Sequence, residues 1–360
     1  MGTYTRRNFI KSSLSGGAII TLMKPSNVLK GAEKQEKQGT FVSLSSGEDR
    51  ADMIFRALQP FAGEIRKAIG SRRVVLKPNN VLIYVPLACT HVETLEGILE
   101  FLKSIGKLRN VIIAESSASG STLEGFDNYG YYRLLSKFPV KLLDLDNEPF
   151  EKMYVIDERD FRPRMVKVSS VILDPDSYVV SVARMKTHNT VGATLSLKNI
   201  VFGSPIKDYG LTLYNEDIKF SERARESKPG AVSYKRFLHG GGFHAVNYNM
   251  AQLAQSLHPD LAVIDGHTGM EHNGPTQGTP IDHRVCVVSQ DWLAADRIGI
   301  ELMGIDFSRI GYLNHVSSMG LGNADLNRIE IVGENLKDHI KQYKLADNFE
   351  KQVVWINPKS

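Results

Sequence analysis

The sequence predicts an α/β fold, in which a mostly parallel β-sheet is flanked by helices. Short apolar, β-branched runs alternate with segments whose apolar residues recur at helical spacing, as they do in repeated βαβ units. Several predicted strands are followed at once by polar side chains, among them Lys77, Glu115, Lys186 and Asp265. Because parallel strands end at the same edge of a sheet, we expect one functional site at the C-terminal ends of the strands.

Residues 1–30 differ from the rest of the chain and resemble a twin-arginine signal. Residues 5–11, TRRNFIK, fit that pattern through Arg6 and Arg7, and an apolar stretch from Leu14 to Met23 follows. This stretch is shorter than the roughly twenty residues of a membrane span, so we expect no stable membrane span. The segment predicts export of the folded protein by the twin-arginine machinery to the periplasm or another extracytoplasmic space.

This leader accounts for the basic balance of the whole chain. The formal net charge is +4, but residues 1–30 hold five basic residues and no acidic one, which leaves −1 for the remainder. A nearly neutral remainder gives no electrostatic reason to expect nucleic acid as a partner. Cys89 and Cys286 are the two cysteines, and without a C-x-x-C motif the chain offers no ligand set for an iron–sulfur cluster. We expect two unpaired thiols.

The elements follow one another in a regular order. Residues 31–39 are polar and predict a disordered linker, a first strand is expected at 41–44, and a helix is expected from Asp49, as its cap, to Ile69, with Pro60 bending or splitting it. Further strands are predicted at 73–77, 111–114, 140–146, 178–183, 261–264, 285–288 and 329–332, and helices at 90–103, 129–138, 247–257, 292–303 and 310–319. Asp291 follows a predicted strand, and its expected role is to cap the next helix.

The remaining stretches are expected to be hairpin, loop or tail. Residues 150–172 predict a β-hairpin, and 118–131, 204–243 and 270–275 predict loops. The α/β domain is expected to span 40–335, with a C-terminal tail at 336–360. Two lobes with a break near 175–245 are an alternative, because long stretches without regular structure are uncommon inside one domain unless they are functional.

Residues 176–203 concentrate the polar groups that best suit chemistry. A buried ammonium group can hold an anion or act as a base or nucleophile, and histidine titrates near neutral pH. We therefore predict Lys186, His188 and Lys198 as catalytic residues. The predicted ligand-binding residues are Lys77, Asn79, Glu115, Thr194, Asn199, Asp265 and Asn273. The alternative interpretation is that the lysines lie on the surface and the histidine is an ordinary loop residue.

Lys198 has a distinctive setting within that stretch. Small residues at 192–196 precede it, and the apolar run 200–202 follows it. A lysine between small residues and an apolar floor loses part of its hydration, which lowers its pKa, and Lys77 or Lys186 nearby would lower it further. We expect Lys198 to be buried in the cleft.

A divalent metal is a further possibility. His239 and His244 are separated by four residues, and His267 and His272 repeat that spacing on another predicted loop. On a loop this spacing permits joint ligation, and these four histidines are the predicted metal ligands. The alternative is that they are loop histidines without a ligand.

Six short motifs together resemble the DUF362 family of uncharacterised proteins. They cover residues 70–333 in order and read Lys77-Pro78-Asn79, Lys186-Thr187-His188, Leu197-Lys198-Asn199, Asp265-Gly266, Asn273-Gly274-Pro275 and Gly320-Leu321-Gly322. Some members of that family carry a ferredoxin-like segment with cysteine ligands, which this chain lacks. The resemblance implies no settled activity.

A second, local likeness is to the lactate racemase family. His188, Gly192 and Lys198 have the spacing of a motif in which, in that family, a histidine does acid–base work and a lysine anchors a nickel-pincer nucleotide. The glycine pair before that lysine is replaced here by Leu195-Ser196, and Tyr214 stands where a nickel-binding histidine would be expected. The likeness indicates the location of a site and gives no reason to expect nickel.

These observations predict an exported enzyme that acts on a small anionic substrate by lysine and histidine acid–base or group-transfer chemistry, with or without a bound cofactor. A non-catalytic protein that binds a small anion or cofactor is the first alternative. A structural or interaction protein is the second, and it would show a large apolar surface patch in place of a polar cleft.

Overall fold

The computed structural model describes residues 39–208 and 232–356. Backbone contacts group Thr40–Ser360 as one unit. The predicted signal at 1–30 and all but the last residue of the predicted linker at 31–39 lie outside the described residues.

A nine-stranded mixed sheet forms the centre of this unit. In chain order, the strands of the described residues, inside and outside this sheet, are β1 (Thr40–Ser46), β2 (Arg73–Lys77), β3 (Val111–Glu115), β4 (Val140–Asp144), β5 (Phe150–Ile156), β6 (Pro163–Ser169), β7 (Ser177–His188), β8 (Gly192–Thr194), β9 (Lys207–Asp208), β10 (Val232–Ser233), β11 (Leu261–Asn273), β12 (Gln277–Ser289) and β13 (Ile329–Gly333). The central sheet has the order β13-β1-β12-β11-β7-β2-β3-β4, and β8 pairs with β7.

Most neighbours in this sheet are parallel, as the sequence predicts. From β11 through β7, β2 and β3 to β4 every pair is parallel, and β13 is parallel to β1. β12 runs against both of its neighbours, and β8 runs against β7. The expected hairpin at 150–172 is present as the separate two-stranded pair β5–β6.

Helices lie between the strands along the chain. They are α1 (Arg50–Leu58), α2 (Ala62–Ile69), α3 (Val92–Ser104), α4 (Thr122–Asn128), α5 (Ser170–Leu173), α6 (Ser196–Gly203), α7 (Phe243–Ala254), α8 (Trp292–Leu302), α9 (Gly311–Ser318) and α10 (Phe349–Gln352), with shorter 3₁₀ turns such as Tyr234–His239. In the part of the chain that is described, no helix has the length and apolar character needed to cross a membrane.

Two of the expected helix signals are confirmed. Asp49 caps α1 by accepting a hydrogen bond from the backbone N–H of Asp52, and Asp291 caps α8 in the same way. Pro60 lies in the 3₁₀ turn between α1 and α2, so it splits the predicted helix. Cys89 and Cys286 are both buried and unpaired, as expected.

β7 occupies the middle of the sheet, and all of its residues are buried. Its side chains alternate between two apolar cores, with Val179 in the first and Val180 in the second. The first core includes residues of α6, α7 and α8, and the second includes residues of α1 and α3. Helices on both faces explain why this strand is apolar over most of its length.

The structure corrects the predicted ends of two strands. β7 continues to His188, because β8 pairs with its last residues, and β11 continues to Asn273, because it forms a long hairpin with β12. The predicted loop at 270–275 is therefore mainly strand. Since β12 is antiparallel, Asp291 follows it at the opposite edge of the sheet from Lys186.

The expected loop at 118–131 is also wrong in part, because it contains α4. Ser121 accepts a hydrogen bond from the backbone N–H of Glu124 and caps this helix. Serine at a helix N-terminus is a start signal that a Gly- and Ser-rich composition conceals.

A close approach between α1 and α3 gives a stability prediction. A Cβ atom added at Gly97 in α3 would lie 2.4 Å from the carbonyl oxygen of Ala51 in α1, so we expect Gly97→Ala to destabilise the protein by about 2 kcal/mol. Gly63→Ala is the matched control, because a Cβ at that helical position meets nothing within 4 Å and alanine favours helix by about 0.5–1 kcal/mol. Thermal unfolding should shift in opposite directions for the two variants. Equal midpoints would contradict the packing described.

Candidate functional site

A cavity of about 290 Å³ opens at the C-terminal edge of the sheet. Residues directly after β2, at the end of β3 and at the end of β7 line it, together with α6, the 3₁₀ turn Tyr234–His239 and the turn between β11 and β12. Its titratable lining residues are Glu115, His188, Lys198, Lys235 and His239, and its polar lining residues include Asn79, Asn80, Ser116, Asn189 and Thr276.

Lys77 and Glu115 form an ion pair at the floor of this cavity. Lys77 Nζ lies 2.8 Å from Glu115 Oε1, and both side chains are almost completely buried. The other oxygen of Glu115 accepts a hydrogen bond from the backbone N–H of Asn80 at 3.0 Å. Burial lowers the pKa of Lys77, while Glu115 opposes that shift.

Gly203, the last residue of α6, lets the helix approach this ion pair. A Cβ atom at Gly203 would lie 2.1 Å from Lys77 Nζ and would displace the ammonium from Glu115. The absence of a side chain at this position is therefore required by the site itself.

Two asparagine amides connect the buried lysines. Asn79 Oδ1 accepts a hydrogen bond from Lys186 Nζ at 2.6 Å, and Asn79 Nδ2 donates to Asn199 Oδ1 at 3.0 Å. Asn199 Oδ1 also accepts from Lys77 Nζ at 3.3 Å. Both amides are thus held in one orientation, with their oxygens toward ammonium groups.

Lys186 is fully buried beneath the cavity and does not line it. Its ammonium donates to the carbonyl oxygen of Ala88 as well as to Asn79. Burial lowers its pKa to about 7, so its charge changes near neutral pH.

Lys198 lies on α6, lines the cavity and is 6 % exposed. Burial lowers its pKa, and the charges of Lys186, Lys235 and Lys77 lower it further. Its Nζ lies 4.3 Å from the centre of the Phe202 ring. Burial and a lowered pKa are what the surrounding sequence predicts for this residue.

His188 ends β7 and is buried at the cavity wall. The backbone N–H of Thr190 donates to its Nδ1 at 3.0 Å, which leaves the proton of the neutral ring on Nε2. Burial lowers its pKa, and Lys198 is the largest electrostatic contributor in the same direction. At neutral pH the ring is therefore uncharged.

Lys235 is a lining residue that sequence reasoning did not select. Its ammonium donates to three backbone carbonyls at and just beyond the C-terminal end of α6, those of Phe202, Gly203 and Pro205. Burial lowers its pKa to about 7. The available signal was its position in the long irregular stretch 204–243, where a functional loop is expected but no motif singles out one lysine.

Asp265 does not share the cavity, and the expectation that it would is wrong. It lies on the face of the sheet that packs on α1 and α3, where its Oδ2 is 3.3 Å from Arg50 Nε and accepts from Thr94 Oγ1 at 2.6 Å. Burial raises the pKa of this carboxyl group, but Arg50 and Arg184 outweigh that effect, so the pKa lies below its usual value. Successive side chains of a strand point to opposite faces, which a shared strand end does not reveal.

The other predicted ligand-binding residues lie at or beyond the margin of the cavity. Asn199 is buried behind the lining, and Thr194, opposite Lys186 in the β7–β8 pair, has a hydroxyl group with no hydrogen-bond partner in the described chain. Asn273 at the end of β11 donates to Asp347 at 2.8 Å, so its side chain binds the C-terminal segment. The next residues along that turn, Pro275 and Thr276, are the ones that line the cavity.

The four predicted metal ligands do not form a cluster. Across residues 39–208 and 232–356, no group of three or more His, Cys, Asp or Glu side chains could hold a metal ion. His267 contacts Arg50 and the carbonyl oxygen of Glu48, and His272 lies 2.8 Å from Asp347. His239 packs edge-on against Phe202, and exposed His244 lies in the first turn of α7. The equal spacing of the two histidine pairs therefore does not indicate a shared metal site.

A double-mutant cycle can measure the interaction free energy between Lys77 and Glu115 at the floor of the cavity. Breaking a buried ion pair by removing one partner costs about 3–5 kcal/mol, because the other charge remains buried. We expect Lys77→Met and Glu115→Gln each to destabilise the protein by roughly that amount and the double variant to lose clearly less than their sum. The exposed pair Lys103–Glu100 is the control, and its coupling should stay below about 0.5 kcal/mol. Additive losses for Lys77 and Glu115 in thermal unfolding would contradict a direct interaction.

Comparison with known proteins gives two matches. A thylakoid-associated protein of Synechocystis sp. is 23 % identical over 266 residues, which are 73 % of this chain and 73 % of that protein. The model of the family described as domain of unknown function DUF362 matches residues 74–301, a range that includes Lys77, His188, Lys198 and Lys235. Because this match covers more than half of the chain, the protein belongs to the DUF362 family.

Proposed function

We propose that this protein is an enzyme that binds a small anion in the cavity and acts on it by proton transfer or group transfer. The observation that carries the proposal is that Lys198 and His188 both line this cavity and are buried there, which lowers the pKa of each. Groups with such shifts at a cleft are typical of catalytic acids and bases.

The charge of the cavity favours an anionic substrate. Lys198 and Lys235 line it, Lys77 and Lys186 lie directly behind, and Glu115 is the one carboxylate among the described lining residues. Glu115 is paired with Lys77 and also acts to raise the pKa of Lys235 and Lys186, but one carboxylate does not balance all the lysines around it. Two unit charges 4 Å apart attract by about 4 kcal/mol at an effective dielectric constant near 20, so a carboxylate or phosphate would be held firmly.

The hydrogen bonds assign different roles to the two catalytic candidates. The Nδ1 lone pair of His188 is engaged by Thr190, so the ring offers Nε2–H to the cavity as a donor. A neutral Lys198 amine has a free lone pair and can accept a proton. We therefore assign Lys198 as the base or nucleophile and His188 as the hydrogen-bond donor to the substrate.

Anion binding tests the site directly. Calorimetry with inorganic phosphate and with pyruvate should show saturable binding. A bound anion favours the ammonium form of Lys198, so Lys198→Ala should weaken binding at least tenfold, which corresponds to about 1.4 kcal/mol. Lys103→Ala, at an exposed position, should bind as the unchanged protein does. Full binding by the Lys198→Ala variant would remove Lys198 from the site.

The pH dependence of binding has a definite sign. The ammonium form binds the anion, and the pKa values of Lys186 and Lys235 are lowered to about 7. Anion affinity should therefore be greatest below pH 7 and decline as the pH rises through that value. Affinity that stays constant up to pH 9 would show that these lysines keep their usual pKa values.

Catalysis and simple binding can be separated by isotope exchange. Proton NMR in D₂O should show deuterium entering a carbon next to the carboxylate of a bound small acid, and His188→Gln or Lys198→Ala should abolish this exchange. Binding without exchange across a set of small carboxylates would favour the non-catalytic binding protein.

We also propose that residues 1–30 direct export by the twin-arginine route to the periplasm or another extracytoplasmic space. The support is the sequence TRRNFIK with the apolar stretch that follows it. Residues 1–40 fused to a reporter that is active only after folded translocation should give activity. The change Arg6→Lys with Arg7→Lys should abolish it, and activity that persists in this variant would refute the proposal.

A further inference from the structure

We propose that Lys198 is a carbonyl-reactive amine, and that the cavity takes a small anionic aldehyde or ketone whose carbonyl carbon forms an imine with Lys198 Nζ. This inference rests on the proposed function and narrows its substrate class to oxo-acids. It is carried by the different surroundings of four lysines that are buried at the cavity, Lys77, Lys186, Lys198 and Lys235; a fifth buried lysine, Lys207, pairs with Asp146.

Three of these lysines donate hydrogen bonds to oxygen atoms of the protein. Lys77 donates to a carboxylate, an amide oxygen and a backbone carbonyl, and Lys186 donates to an amide oxygen and a carbonyl. Lys235 donates to three carbonyls. Their nitrogens are engaged in these bonds, and each acts as a structural donor and, when protonated, as a positive charge.

Lys198 differs from them. Its Nζ has neither a carboxylate within 4 Å nor a hydrogen-bond acceptor in the described segments, and its nearest recorded partner is the Phe202 ring. It lines the cavity, whereas Lys77 and Lys186 do not. A lysine that is buried, lines a cavity and lacks an acceptor is positioned to react with a ligand.

The protonation state favours nucleophilic attack. The Phe202 ring stabilises an ammonium by about 1 kcal/mol, which is less than one pKa unit. Burial lowers the pKa of Lys198, and the charges of Lys186, Lys235 and Lys77 act in the same direction. The uncharged, nucleophilic form of this amine is therefore favoured relative to that of an exposed lysine.

The proposed step balances without an oxidant or reductant. The lone pair of Nζ forms a bond to the carbonyl carbon, and the carbonyl oxygen becomes a hydroxyl group. The hydroxyl then leaves as water with the two amine hydrogens, and the C=N double bond of the imine forms. Both hydrogens of that water come from the amine nitrogen, and His188 Nε2–H can stabilise the departing oxygen by donating a hydrogen bond to it.

The remaining charges explain the preference for an acid. A carboxylate next to the carbonyl would lie among the ammonium groups of Lys235, Lys77 and Lys186, which do not compete for the carbonyl carbon. A cavity of about 290 Å³ accepts a molecule of this size. An uncharged aldehyde would lack that attraction.

Reductive trapping on the full chain tests the proposal. We would treat the protein with glyoxylate at pH 7 in the presence of cyanoborohydride, which reduces an imine to a stable secondary amine, and locate the carboxymethyl group by peptide mass spectrometry. Lys198 should be modified at least tenfold faster than exposed Lys103. With acetaldehyde, which has no negative charge, that ratio should be several-fold smaller. His188→Gln should slow the modification of Lys198 and leave that of Lys103 unchanged.

Each other outcome would overturn a defined part of the proposal. Modification of Lys198 no faster than that of Lys103 with both aldehydes, while phosphate still binds, would overturn the imine and leave the proposed function intact. If Lys198 is not selectively modified and phosphate also fails to bind, both the imine and the proposed function are overturned. Equal preference for acetaldehyde and glyoxylate would keep a reactive amine and overturn the anionic substrate class.

Discussion

Removing an ammonium group from water costs several kcal/mol unless the protein replaces its hydrogen bonds or its counter-charge. Lys77, Lys186, Lys198 and Lys235 are buried in or directly behind the cavity, and the arrangement of the surrounding chain follows from that cost. Glu115, the two asparagine amides and a set of backbone carbonyls satisfy three of them. The ammonium group of the fourth, Lys198, is removed from water without such compensation, which is why its chemistry differs from that of its neighbours.

The position of Lys198 is fixed from both ends of α6. Asp296 of α8 accepts hydrogen bonds from the backbone N–H groups of Ser196 and Leu197, and Lys235 binds the carbonyls at the other end. Burial raises the pKa of Asp296 to about 7, and the two backbone N–H groups oppose that shift because they favour the carboxylate. A helix clamped in this way presents its lysine without relying on contacts of the lysine itself.

The sequence was sufficient for the fold class and the order of the main strands, although it missed α4, β8 and α6, and for the edge of the sheet where Lys198 and His188 lie. Apolar periodicity carries that information, because it records which faces are buried. It does not record which face of the sheet a polar side chain takes at a strand end. Asp265 was therefore expected in the cavity, whereas it lies on the other face, where Arg50 of α1 neutralises its charge. Lys235 could not be selected, since its partners are backbone carbonyls that carry no sequence signature.

The pairing of β1 has a consequence for how the protein is made. β1 begins the described domain, yet both of its neighbours, β12 and β13, belong to the last quarter of the chain. Until the ribosome has delivered those segments, the first strand has two unpaired edges, which are prone to wrong associations. Completion of the sheet is therefore a late event in synthesis. If the N-terminal segment directs export of the folded protein, translocation must wait for β13. A chain that ends before β13 would be incompletely folded and a poor substrate for that export.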